Sequence, residues 1–138
     1  MKKLSVYLSG NMTPDSTHYY DWVSEFSRAF ADSDRYTCTF SKQKASAKFS
    51  VEHDLARLSR SDIVVANLGI SNQEHSIASV ITEIYEAHRQ GKIVLGFVSG
   101  NIRSTQASSP WVSEFLSHVF PTMQDVIDYL IHEDNLPV

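Results

Sequence analysis

Residues 76–97 read SIASVITEIYEAHRQGKIVLGF. Ile77, Val80, Ile81 and Ile84 fall at helical spacing, Gly91 supplies a stop, and KIVLGF is an apolar run of strand length. The spacing predicts a helix over 77–90 and a buried strand over 92–98. A helix feeding a buried strand is half of a β-α-β unit, and the other half precedes it. DIVVANL, residues 62–68, is apolar without alternation, as in a strand covered on both faces. Within the helix one residue stands out. Glu83 lies one turn beyond Ser79, with Ser76 on the same face and a second carboxylate at Glu86.

Outward from this unit the same alternation continues. KLSVYLSG (3–10) reads as a first strand ended by Gly10 and Asn11. Tyr19, Trp22, Val23, Phe26 and Phe30 follow at helical spacing, with Ser16 or Thr17 as cap and the aromatic side facing the core. RYTCTF (35–40) alternates Tyr36, Cys38 and Phe40 as a second strand. SKQKASAK (41–48) has no period and reads as a loop, after which Ser50 caps a short helix with Val51, Leu55 and Leu58 inward. Ser109-Pro110 marks another helix start with Trp111, Phe115 and Leu116 on its apolar side. Residues 119–120 read as a candidate short fifth strand. Thr122 caps a final helix with Met123, Val126, Ile127, Leu130 and Ile131 inward. The expected fold is α/β: one domain over 1–138, a parallel sheet of 4–5 strands with helices on both faces, flavodoxin/Rossmann-like. Ligands of such sheets bind beyond the C-terminal strand ends, at a topological switch point. The loops 9–15, 41–49, 69–76 and 99–108 are therefore the candidate site regions.

Composition narrows the function classes. The chain has 138 residues and a formal charge of −4, which gives no general attraction to nucleic acid or an anionic membrane. A single cysteine, Cys38, allows no internal disulfide and fits a reducing, cytoplasmic setting. There is no run of ~20 apolar residues to span a bilayer. G-x-G-x-x-G, the P-loop and G-x-S-x-G are all absent, as is the H-E-x-x-H metal pattern. Lys42, Lys44 and Lys48 follow the second strand, and Arg103 follows the fourth, so both loops are placed to steer a phosphate.

Three segments converge at the C-terminal edge of such a sheet. They are VYLSGNM (6–12) with Tyr7, EHDLARLSRSDIVVANL (52–68) with Asp54 and Asn67, and the helix carrying Ser76, Ser79 and Glu83. Asp54 lies about 70° from its helix's apolar stripe, at roughly 100° per residue, and borders the core. The two serines fall near a helix N-terminus, where free N–H groups favour an anion.

These residues resemble the nucleoside 2-deoxyribosyltransferase superfamily, including its nucleoside 5′-monophosphate N-glycosidase branch. The pattern runs from Asp54-Leu55 through Asn67-Leu68, then Glu83-Ile84, Ala87, Gly91-Lys92 and Val94, and the resemblance spans roughly residues 3–98. It implies an enzyme that cleaves the N-glycosidic bond of 2′-deoxynucleosides or their 5′-monophosphates, transferring the sugar to another base or to water. By position it implies Glu83 as nucleophile, Asp54 beside the reacting sugar and base, and Tyr7 holding the nucleophile. It implies substrate contacts at Gly10 and Asn11 and, for a 5′-phosphate, at Ser76 or Ser79, with Ser108 or Ser109 supplied to a neighbouring copy in a homodimer or higher homo-oligomer. Asn67, at the end of the third strand, completes the candidate set. No metal or organic cofactor is implied.

The chain departs from the family in one place. No glycine lies between Gly69 and Glu83, where the family carries a small, Gly-rich segment, and Val80 and Ile81 replace small residues. A pure nucleoside monophosphate hydrolase and a nucleotide-binding module that does not cut are the alternatives. The chemistry itself is plain. A carboxylate traps the oxocarbenium-like centre at C1′, and a second acid protonates the leaving base.

Overall fold

The computed structural model describes residues 2–10, 17–40, 47–69, 74–98, 109–133 and 136, and no side chains within 17–21, 47–50 or 74–78. Asn11, Lys42, Lys44, Arg103 and Ser108 lie outside the described residues, as do the side chains of Lys48 and Ser76.

The elements follow the expected order: β1 (Leu4–Ser9), α1 (Thr17–Ala29), β2 (Tyr36–Phe40), α2 (Ala47–Ser59), β3 (Ile63–Asn67), α3 (Glu74–Arg89), β4 (Ile93–Phe97), α4 (Pro110–Ser113), β5 (His118–Phe120) and α5 (Met123–His132). All four strand pairings are parallel, and the sheet order is β2-β1-β3-β4-β5, a flavodoxin-like arrangement. The chain reverses its direction of travel across the sheet between β1 and β3. The switch point therefore lies at the C-terminal ends of these two strands, where Ser9 is in register with Ala66.

The pleat of β1 sorts its side chains onto two faces. Val6 and Leu8 join Trp22, Val23, Phe26 and Phe30 of α1 and Val126, Ile127 and Leu130 of α5. Tyr7 goes to the other face, with Leu58 of α2, Val80, Ile84 and Ala87 of α3, and Val112 of α4. Fully burying side chains of this size is worth about 1.5–3 kcal/mol each. The helix ends use local signals. Gly91 takes a φ of 76°, its N–H donates to the His88 carbonyl at 3.0 Å and Lys92 N–H to the Ala87 carbonyl at 3.0 Å, which closes α3 as a Schellman motif. Ser109 caps α4 ahead of Pro110, and Thr122 caps α5.

Several local expectations change. α2 begins at Ala47, so Ser50 lies inside it rather than capping it. Val51 is 55% exposed, whereas Asp54 and Leu58 of α2 are buried. α3 begins at Glu74, which puts Ser79 in the second turn and Glu83 more than two turns from the N-terminus. Trp111 is 78% exposed: α4 lasts a single turn, and its buried residue is Val112. Ile131, 49% exposed, sits on the outer side of α5.

Candidate functional site

The site is assembled by two periodicities. Tyr7 and Ser9 are two apart on β1 and share the face that α3 covers. On α3, Val80, Glu83, Ile84 and Ala87 are all buried, so a carboxylate occupies a place in the apolar stripe. Glu83 meets the two β1 hydroxyls there. The Tyr7 hydroxyl donates to Glu83 Oε2, and Ser9 Oγ donates to Glu83 Oε1 at 2.7 Å. Tyr7 and Ser9 are fully buried and Glu83 is 4% exposed. From α2, Asp54 is 6% exposed and close enough for its charge to act on Glu83.

Burial pushes the Glu83 carboxyl up from 4.5 to about 7; the two hydroxyl donors oppose that rise, and the negative charge of Asp54 adds to it. The result is a carboxyl poised at neutrality, with both oxygens oriented, at the C-terminal edge of the sheet. Such a group can act as nucleophile when ionised or as acid when protonated. A pair of carboxyls that oppose each other's ionisation can supply both roles.

Of the sequence-predicted residues, the structure brings Tyr7, Asp54 and Glu83 together. Ser9, which is not among them, takes the carboxylate oxygen that Tyr7 does not. The signal for Ser9 was present as the i+2 neighbour of Tyr7 in a strand.

The remaining candidates are placed as follows. Gly10 is buried against the Trp22 indole, where an added Cβ would lie 2.6 Å from Cζ2. Asn67 Oδ1 accepts the Gly69 N–H at 2.9 Å and closes the turn after β3. Ser79 is half-buried on α3, four residues before Glu83. Ser109 Oγ accepts the Trp111 N–H at 3.3 Å as the α4 cap. On the outer side of α3 lies a separate apolar groove of about 370 Å³, lined by Ile81, Thr82, Tyr85, Trp111 and Phe115. Among the described residues, no three His, Cys, Asp or Glu side chains gather as a metal site, and no helix is long and apolar enough to cross a membrane.

No protein-family model and no curated protein sequence matches the chain. Solved structures do resemble it. It is similar to a 2-desoxiribosyltransferase from Leishmania mexicana, with a TM-score of 0.76 and 11% identity over 96% of this chain and 99% of the other. A 2-deoxyribosyltransferase from the psychrotolerant bacterium Bacillus psychrosaccharolyticus superposes with a TM-score of 0.67 at 17% identity, covering 91% of each chain. The CMP N-glycosidase BcmB of Clostridium botulinum gives a TM-score of 0.56 at 12% identity over 92% of this chain and 98% of its own. At these identities the likeness is one of fold, and it extends over most of each chain.

Proposed function

We propose that the protein cleaves the N-glycosidic bond of 2′-deoxynucleosides or their 5′-monophosphates and passes the sugar to a second base or to water. The observation that carries this reading is the buried Glu83 carboxylate, held by Tyr7 and Ser9 beside Asp54 at the switch-point edge. The fold it shares with two 2-deoxyribosyltransferases and a CMP N-glycosidase supports it.

In the first step, ionised Glu83 attacks C1′ and forms an ester to the sugar. The C1′–N bond breaks, its electron pair moves to the base, and the single proton shared by the carboxyl pair, carried on Asp54 in this step, passes to that base. In the second step, Asp54 as carboxylate takes a proton from an incoming base or water. The incoming atom bonds to C1′, and Glu83 leaves as carboxylate. Tyr7 keeps the carboxylate turned toward the sugar in both steps. Gly10, Asn11, Asn67, Ser76 and Ser79 belong to the substrate-binding edge in this reading.

The same reading makes the protein a cytoplasmic homodimer or higher oligomer. The exposed Trp111 and Tyr85 support a contact between copies along α3 and α4. Ser109 caps that α4 turn and would travel with it to the neighbour. Sedimentation velocity of Trp111→Glu against the unaltered protein tests the contact, and an unchanged oligomer would exclude it.

The activity is tested by incubation with deoxyinosine plus free adenine, and separately with each deoxynucleoside monophosphate, followed by chromatography. Deoxyadenosine marks transfer, and free base with sugar phosphate marks hydrolysis. Binding by thermal shift with neither product would make the protein a nucleotide-binding module.

A further inference from the structure

Trp22 of α1 is 8% exposed, and its indole Nε1 is buried without a hydrogen-bond partner among the described residues. Burying a donor unpaired costs about 1–3 kcal/mol, and folded proteins leave few such groups. The ring cannot turn to find an acceptor. It is wedged edge-on against Phe26, with centroids 6.5 Å apart, and against Phe97, with centroids 5.4 Å apart. Its nitrogen edge abuts Gly10, where an added Cβ would stand 2.8 Å from Nε1.

A second unused donor belongs to the same place. Asn67 follows Ala66 as Gly10 follows Ser9, and Ser9 is in register with Ala66, so Gly10 and Asn67 flank the switch point between β1 and β3. By the pleat, Asn67 shares the face of Ile63 and Val65, which pack in one cluster with Trp22. Its neighbour in register on the other side is Phe97, which also touches Trp22. Asn67 Oδ1 is occupied by the Gly69 N–H at 2.9 Å, which leaves the Nδ2 donor without a partner among the described residues.

We propose that Trp22 Nε1 and Asn67 Nδ2 form a donor pair that reads a carbonyl oxygen on the nucleobase. The end of β1 lies between this pair and the carboxylate, because Ser9 holds Glu83 on one face and Gly10 meets Trp22 on the other. A nucleoside lying across the strand end therefore presents its sugar to Glu83 and its base to the donors. Both donors are uncharged, which suits a neutral acceptor, and a carbonyl oxygen has two lone pairs to receive them. Adenine has no carbonyl and offers an amino group instead, so it leaves the pair unsatisfied. In the free protein the indole N–H is sealed, and the residue against it is a glycine just beyond the strand end. A shift of that backbone, with no side chain to move, opens the donor to the crevice.

This assignment rests on the N-glycosidic reading and names its base class. It is tested with 15N-labelled Glu83→Gln protein, in which the ligand is not consumed. The chain has two tryptophans, and Trp111→Phe tells their indole signals apart. Deoxyinosine, deoxyguanosine, thymidine, deoxycytidine and deoxyadenosine are added in turn, each as nucleoside and as 5′-monophosphate. The Trp22 indole proton should move downfield with every carbonyl-bearing base and hold its place with deoxyadenosine. In turnover with Glu83 restored, Trp22→Phe keeps the ring and loses the N–H. Its kcat/KM should fall roughly three- to tenfold for deoxyinosine, as for one neutral hydrogen bond, and stay unchanged for deoxyadenosine. Asn67→Asp keeps the acceptor for Gly69 and removes the Nδ2 donor. It should show the same preference, and it decides the matter should Trp22→Phe not fold. Equal losses for all bases would mark a merely structural role and overturn the assignment. A Trp22 signal that stays still while a bound ligand moves others, or that moves equally with deoxyadenosine, would overturn it and leave the N-glycosidic reading intact. A carbonyl-dependent shift in a protein with no turnover would sink that reading and leave the donor pair standing. Binding of none of these ligands would overturn both.

Discussion

Tyr7 and Glu83 are 76 positions apart in the chain, and the Tyr7 hydroxyl donates to Glu83 Oε2 between the sheet and α3. The bond links the first strand to the third helix through side chains sealed from solvent. Removing the hydroxyl alone tests its part. Tyr7→Phe keeps the ring that fills the core and deletes one donor. The expected outcome is a kcat lowered roughly ten- to hundred-fold, the range for one hydrogen bond to an ionised group. KM and melting temperature should change little. Steady-state kinetics together with a thermal melt measure both, and an unchanged kcat would detach Tyr7 from the reaction.

Glu83 also ties stability to pH. Its folded value of about 7 lies above its ordinary 4.5, so between these two the folded state binds more protons than the unfolded state. Stability is therefore highest at the acid end of this window and declines as pH rises toward 7. At about 1.4 kcal/mol per tenfold, the decline is roughly 3 kcal/mol from this residue. Glu83→Gln cannot ionise, so its urea-unfolding free energy should be flatter than that of the unaltered protein across pH 4.5 to 7. Parallel curves for the two proteins would contradict the buried, titrating carboxyl.

Asp54→Asn changes two things that a pH profile separates. In the free protein the Asp54 charge that adds to the rise of Glu83 is removed, so Glu83 should titrate at lower pH. In the proposed reaction the group that carries the proton to the leaving base is also gone, and the plateau should fall by about 10²–10⁴-fold. A substrate whose base leaves without protonation should recover most of that loss. If kcat falls equally for such a substrate, Asp54 is not the acid.

Gly10 is required by a contact rather than by its backbone angle. A methyl group there would meet the Trp22 indole at 2.6 Å, and that ring is itself wedged against Phe97 with centroids 5.4 Å apart. Gly10→Ala should cost about 1–3 kcal/mol, as overpacking does. Pairing it with Trp22→Phe should recover part of the loss, a coupling visible in urea unfolding. Additive losses would place the clash elsewhere.

Much of this was legible before any coordinates. The alternation of buried runs with helical stripes defined the parallel sheet, and Gly91 marked the end of α3 through its left-handed backbone. Glu83 was conspicuous because it interrupts a stripe, standing three residues after Val80 and four before Ala87. Asp54 stands four residues before Leu58 in the same way. The start of α2 was harder. Three lysines and two serines in residues 41–48 read as loop, yet α2 begins at Ala47. Trp111 misled for the opposite reason, since helical spacing has no meaning in a one-turn helix. Ser9 stayed hidden because a serine at a strand end looks solvent-facing. Its burial depends on α3, a partner that local sequence does not name.

Whether Glu83 forms a bond to C1′ can be read by mass spectrometry of the protein quenched in acid during turnover of a deoxynucleoside or its 5′-monophosphate. A deoxyribosyl or deoxyribosyl-phosphate adduct on the peptide containing Glu83, absent from Glu83→Gln, is the expected result. Turnover without any adduct on that peptide, together with full activity in Glu83→Gln, would show that the sugar is never carried by this carboxylate.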